Sequence, residues 1–188
     1  GNWSVTSKCT SLERMFHGAQ SFEAADLSRW DTSSVNTTYA MFRRATNFNG
    51  IVDAWDLRSL KDCSYMFDEA EFFSGDLSSW NVKNVTTMEG MFAGAVSFNG
   101  ELSQWQTQRV TTFAYMFQGA SSFNQDISGW PTSRVRVFSY MFHKASSFNQ
   151  DVSNWETSSA VVMKAMFSLA TTFTHSLCWR LSSAVDTD

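Results

Sequence analysis

A Met-Phe pair recurs seven times in this chain, at Met15-Phe16, Met41-Phe42, Met66-Phe67, Met91-Phe92, Met116-Phe117, Met141-Phe142 and Met166-Phe167. The interval is 26 residues once and 25 residues five times. Three residues after each Phe stands an Ala, and three further on a second Phe, as in Phe117, Ala120 and Phe123. A Trp closes each copy: Trp30, Trp55, Trp80, Trp105, Trp130, Trp155 and Trp179. The first copy has one extra residue between Phe and Trp, and the last lacks one. Self-similarity with a period in the twenties is the mark of a solenoid, in which each repeat covers the apolar face of its neighbour. The reading is one domain over 1–188, with a partial copy at 1–8, seven repeats from about residue 9, and a degenerate last copy at 161–188.

The spacing within one repeat predicts its local structure. In "RVTTFAYMFQGASSF", residues 109–123, apolar side chains fall at 110, 113, 116, 117, 120 and 123. Steps of three and four place them on one face of a short helix, with irregular or 3₁₀ turns as the alternative. Ser34, Ser59, Asn84 and Ser159 supply cap-type residues before it, while Arg109 and Arg134 break that pattern. The remainder, "FNQDISGW", carries one aliphatic among polar neighbours: Leu27, Val52, Leu77, Leu102, Ile127, Val152 and Leu177 in the successive copies. It predicts a short strand, paired in parallel between copies about 4.8 Å apart. The expected fold class is a leucine-rich-repeat-like solenoid, with one short parallel strand plus one short helical or 3₁₀ segment per 25-residue repeat.

The motif MF-x-x-A-x-x-FN-x-D-[IVL]-S-x-W-x-x-S-x-V-x-x-M-x-x-MF resembles the 25–26-residue bacterial surface-protein repeat, a BspA-like branch of the leucine-rich repeats. Such repeats are common in mycoplasma, listeria and lactobacillus surface proteins. The resemblance covers nearly the whole chain. It implies an extracellular or cell-surface protein for adhesion or protein binding, and brings no catalytic residues. Ile51 stands where Asp is usual, Thr38 and Cys63 stand at the Met position, and "FTHSLCW" is degenerate.

Asp26, Asp76, Glu101, Asp126 and Asp151 share one register, and Ser28, Ser78, Ser103, Ser128 and Ser153 lie two residues on. By period two these acids and hydroxyls face the same way, and they form the candidate partner-binding face. One carboxylate per repeat is a poor match to a calcium loop, which gathers its ligands in one short segment. Asn49, Asn99, Asn124 and Asn149 are expected to point inward and bond backbone at the turn. Arg58, Lys83, Arg109, Arg134 and Arg136 form a positive edge, read as solvated or as steering an acidic partner. The Met and Trp columns read as core rather than as a cofactor box.

Cys9, Cys63 and Cys178 are an odd set with no metal or disulfide spacing. His17, His143 and His175 are too scattered to form a site, and neither a nucleophile triad nor a phosphate loop is visible. Net charge is −4, which argues against a nucleic-acid surface. Apolar runs are too short to span a membrane. Asn2, Asn36 and Asn84 begin glycosylation sequons, relevant only in a secreted eukaryotic chain. The opening "GNWSVTSK" reads as a mature form or a segment of something longer. Neither an enzyme nor a cofactor is expected. The expectation is a non-enzymatic protein-binding or adhesion scaffold, surface-displayed or secreted. A structural subunit bound through the ends or face of the solenoid is the alternative, and carbohydrate binding is weaker for want of exposed Trp.

Overall fold

Each Met-Phe pair marks one coil of backbone, and successive coils lie directly on one another. The computed structural model describes residues 4–179, 181 and 185–187. Trp3 and the sequon residue Asn2 fall outside them. Stacking is visible in three aromatic columns. The Phe of the Met-Phe pairs, Phe16 through Phe167, repeat at centroid distances of 5.3 to 5.8 Å. The second Phe of each copy forms a parallel column at 5.5 to 6.1 Å. Within a coil the two Phe rings lie face to face, at 3.8 Å for Phe117 and Phe123. The third column is Trp, with spacings of 6.0 to 6.3 Å from Trp30 to Trp130.

The expected strand-plus-helix unit is not formed. Among the described residues there is no helix, no 3₁₀ segment and no strand; turns and isolated parallel bridges take their place. The reason is the hand of the backbone. All seven residues just before the Met-Phe pairs have positive φ: Arg14, Ala40, Tyr65, Gly90, Tyr115, Tyr140 and Ala165. So do the residues two after each Phe: Gly18, Arg44, Glu69, Gly94, Gly119, Lys144 and Leu169. Their φ values lie between 50° and 70°. A right-handed helix cannot run through a left-handed residue. The segment becomes a chain of β-turns instead. In the copy around Met41 the turns are closed by Met41 N–H to Thr38 O, Arg43 N–H to Ala40 O and Ala45 N–H to Phe42 O, at 3.0, 3.3 and 2.9 Å. Positive φ at the third residue of the turns 38–41 and 42–45 is the arrangement of type II turns.

The N–H groups between those turn closures reach the next coil. Thr38, Ala40, Phe42 and Arg44 donate to the carbonyls of Asp62, Ser64, Met66 and Asp68 at 2.7 to 2.9 Å. Backbone donors therefore alternate between holding their own turn and holding the neighbouring coil. This satisfies the buried peptide groups without regular structure.

The expected sheet is not formed either, and isolated parallel bridges take its place. The bridges fall mostly two residues after the small apolar position, linking Thr37, Asp62 and Thr87 in series and Thr112, Val137, Val162 and Asp186 in series. In the "FNQDISGW" register, among the described residues, only Asp26 and Ile51 pair. Side chains join the coils there instead. From Trp55 to Trp155 each indole N–H donates to the aliphatic residue's carbonyl in the preceding coil: Trp55 to Leu27, Trp80 to Val52, Trp105 to Leu77, Trp130 to Leu102 and Trp155 to Ile127, at 2.9 to 3.1 Å.

The core is the set of apolar positions that the repeat names. Met116, Phe117, Ala120, Phe123 and Ile127 are fully buried, and Trp130 is 3% exposed. Each buried Phe, Met or Leu contributes roughly 1.5–3 kcal/mol. The departures from the motif are accommodated individually. Thr38 is fully buried, and its hydroxyl donates to the Met66 sulfur at 3.3 Å. Cys63 is buried with a free thiol, and burial raises its pKa. Thr107 and Thr132, also buried, donate to the Pro131 and Glu156 carbonyls of the next coil.

Candidate functional site

Since the repeated apolar positions form the core, chemistry is left to the outer positions. The acidic row is exposed: Asp26, Asp76, Glu101, Asp126 and Asp151 all face solvent, with Ser78 exposed and Ser28, Ser103, Ser128 and Ser153 half-buried beside them. Each acid accepts the N–H of the Ser two residues on, at 2.7 to 3.0 Å. This is the Asx-turn bond, and its glutamate counterpart at Glu101, that sets up a local turn. The Ser28 hydroxyl and then its N–H hold Asp26 below the usual carboxylate range. At Asp76, Asp126 and Asp151 the backbone N–H comes first, and the Ser hydroxyl adds to it. Turn formation thus accounts for why acid and Ser recur together.

The Asn row bonds backbone as expected, but from outside the core. Asn49 and Asn99 are exposed, and Asn124 and Asn149 half-buried. The amide oxygens of Asn49, Asn99, Asn124 and Asn149 accept the N–H of Ser74, Asn124, Asn149 and Thr174 in the next coil, at 2.8 to 3.0 Å. Of the sequon residues, Asn36 is exposed, while Asn84 donates its amide to the Arg58 carbonyl at 2.9 Å. Among the described residues no three His, Cys, Asp or Glu side chains gather as a metal site. No helix there is long and apolar enough to cross a membrane.

A second surface was not anticipated from the sequence. The chain has four tyrosines. Tyr39, Tyr65, Tyr115 and Tyr140 are all half-buried and sit one or two residues before a Met-Phe pair, along one side of the stack. Tyr65 lies across Gly90, where an added Cβ would come within 2.4 Å of its ring. Its hydroxyl donates to the Glu89 carboxylate, and burial, aided by that carboxylate, raises its pKa. Tyr115 stacks on Tyr140 at 5.3 Å. Beside these rings the columns after the Phe change character. Going up the stack they carry Arg43-Arg44, Asp68-Glu69, Ala93-Gly94, Gln118-Gly119 and His143-Lys144.

The two glycines leave an open groove of about 440 Å³, bounded by Tyr65, Tyr115, Asp68 and Lys144. Charged residues are fixed around it. Arg43 Nε lies 2.8 Å from Asp68 Oδ2, and its guanidinium stands 5.3 Å over the Tyr65 ring. Arg44 pairs with Glu69 at 3.1 Å. Burial outweighs Arg43 at Asp68 and pushes that carboxyl up to about 6. Rings, bare peptide and both signs of charge in one groove suit a polar, partly aromatic contact. The sequence signal was the clustering of Tyr at one register together with paired Gly at another. The glycines alone read as a turn requirement.

A family model described as "Mycoplasma protein of unknown function, DUF285" matches residues 1–104 and, again, residues 71–180. The chain belongs to the DUF285 family. The two matches overlap in the middle of the stack, as expected when one motif is repeated throughout. No curated protein and no solved structure matches the chain. Membership of the DUF285 family carries the repeat architecture but no activity.

Proposed function

We propose that this DUF285-family chain is a non-enzymatic protein-binding or adhesion scaffold of the BspA-like kind, displayed at a cell surface or secreted. The observation that carries the reading is the groove between Tyr65 and Tyr115. It is the place where non-repeated aromatic, charged and bare-backbone groups gather on a rigid stack. A preorganised surface loses little conformational entropy when a partner docks. Tyrosines contribute contact area at low rotamer cost. The acidic row borders a different side and offers a second, weaker contact.

Gly119→Leu tests the reading. Leu169 already holds the equivalent position at φ 60°, so the coil accepts a Leu there. A Cβ at Gly119 would meet nothing nearer than 3.8 Å. The variant therefore fills the groove without a clash, at the roughly 1–2 kcal/mol that a left-handed L-residue costs, a cost the stack already carries at Leu169. Proteins cross-linked to the wild-type chain on host-cell surface extracts should be lost with Gly119→Leu and retained when Asp126 and Asp151 are reversed in charge. Unchanged capture by Gly119→Leu refutes the groove as the contact. Capture of nothing but further copies of the chain would favour a structural subunit instead.

A further inference from the structure

The positive edge beside the Trp column departs from the repeat in one place. At the position before the small apolar residue, the side chain normally ties its coil to the one before. Ser59 Oγ donates to the Ser33 carbonyl at 2.6 Å, Asn84 Nδ2 to that of Arg58 at 2.9 Å, and Ser159 Oγ to that of Ser133 at 2.6 Å. Arg109 and Arg134 occupy the same register in the two intervening coils and make no such bond. Two residues further along, the Thr86 and Thr111 hydroxyls tie back to the carbonyls of Lys61 and Thr86 at 3.1 and 3.2 Å. Arg136 replaces that tie in the next coil. Three ladder bonds are thus given up for three guanidinium groups on two neighbouring coils.

These cations are uncompensated. Arg109, Arg134 and Arg136 are all exposed, and among the described residues none lies in an ion pair with a carboxylate. Arg58, on the same edge, is neutralised by Asp56 at 2.5 Å. Arg109 and Arg134 flank an open groove of about 570 Å³, with Gln108, Ser133, Thr86 and Thr111 completing its lining. Like charges in one register on adjacent coils destabilise the free protein. An anion seated between them reverses that effect.

The chemistry narrows the anion. A guanidinium fork matches a carboxylate in two parallel hydrogen bonds. The chain as a whole carries −4, so a long uniform polyanion or an anionic membrane meets net repulsion beyond this short strip. A short acidic segment does not. In an extended peptide, alternate side chains are roughly 6.6–6.8 Å apart on one face, close to the 6.1 Å between the Trp105 and Trp130 rings of the same two coils. We infer that this groove takes an extended acidic peptide segment of a protein partner, with carboxylates at alternate residues held by Arg109 and Arg134. The inference rests on the scaffold reading above and adds a further contact surface to it.

The test is fluorescence anisotropy of the full chain with a labelled alternating Glu-Ser peptide, against a Gln-Ser peptide as control, at low and high salt. The double variant Arg109→Ser, Arg134→Ser carries the residue that positions 34, 59 and 159 already hold, so it retains the fold and regains the ladder bonds. The Glu-Ser peptide is expected to bind the wild type, weaken with salt, and bind the double variant about ten-fold less well or worse. Equal binding to both proteins overturns the inference. So does tighter Arg-dependent binding of a heparin fragment or of phosphatidylserine vesicles than of the peptide. If the peptide fails while Gly119-dependent capture persists, this inference falls and the scaffold reading stands. Loss of Gly119-dependent capture with peptide binding intact has the opposite meaning.

Discussion

Replacing Lys144 by Gly distinguishes the turn architecture from a helical one by the sign of its effect. Lys144 has φ of 60° and is exposed, and its N–H donates to the Ser168 carbonyl at 2.9 Å, a bond that glycine keeps. A left-handed L-residue costs roughly 1–2 kcal/mol, which glycine does not incur. Against this, glycine gains freedom in the unfolded chain worth about 0.4–1 kcal/mol. The net expectation is stabilisation of about 1 kcal/mol. In a helix interior the same change would destabilise by about 1 kcal/mol relative to Ala. The two architectures thus differ by about 2 kcal/mol at one exposed residue. For a chain of this size each kcal/mol moves Tm by about 2–4 °C. Urea unfolding and thermal melts of wild type, Lys144→Gly and Lys144→Ala supply the comparison. Lys144→Ala retains the strained hand and should leave stability nearly unchanged. A Lys144→Gly protein less stable than Lys144→Ala would refute the left-handed turn and the reasoning that replaced the helix.

Two further outcomes follow from buried polar groups. Burial raises the Asp68 carboxyl from 3.8 to about 6, so the folded state holds its proton more tightly than the unfolded chain does. That contribution is present in full below about pH 4 and is lost as pH rises towards 6, amounting to at most about 3 kcal/mol. Asp76, Asp126 and Asp151 act in the opposite direction, since their folded pKa values are lowered and their stabilisation disappears only as pH falls below the usual carboxylate range. Asp68→Asn should therefore flatten the stability profile between about pH 4 and 6 and leave the acid limb in place; an unchanged slope there would show that Asp68 is not the cause. Trp105→Phe keeps a ring between Trp80 and Trp130 but removes the indole bond to the Leu77 carbonyl. A loss of about 1–2 kcal/mol in urea unfolding is expected, and no loss would mean that the indole bonds do not hold the coils together.

The apolar code was legible because every coil needs the same filling. Met116, Phe117, Ala120, Phe123, Ile127 and Trp130 were readable as core from spacing alone, and all are buried. The conformation of the segment carrying them was not legible. Apolar residues three and four apart suit a helix, yet a chain of β-turns turns a side chain inward at similar intervals. Gly18, Gly90, Gly94 and Gly119 stand at left-handed positions and were the available signal. It was obscured because Tyr65, Glu69, Tyr115, Lys144 and others take the same hand without being glycine. The acidic row lies on the outside, and local turns account for its pairing with Ser. The tyrosine groove escaped because its members are spread over residues 43–144 and converge only when the coils are stacked.

By itself the sequence determined the period, the number of copies and which side chains must be shielded from water, since these depend only on residue type and interval. The tertiary structure decided the hand of the backbone at residues such as Tyr115 and Lys144, and which peptide groups bond to their own turn or to the next coil. It also decided which non-repeated residues become neighbours. The physical reason is that a lone repeat cannot satisfy its own backbone. Thr38, Ala40, Phe42 and Arg44 find acceptors only on the neighbouring coil, so the conformation of each copy is set by the one stacked against it.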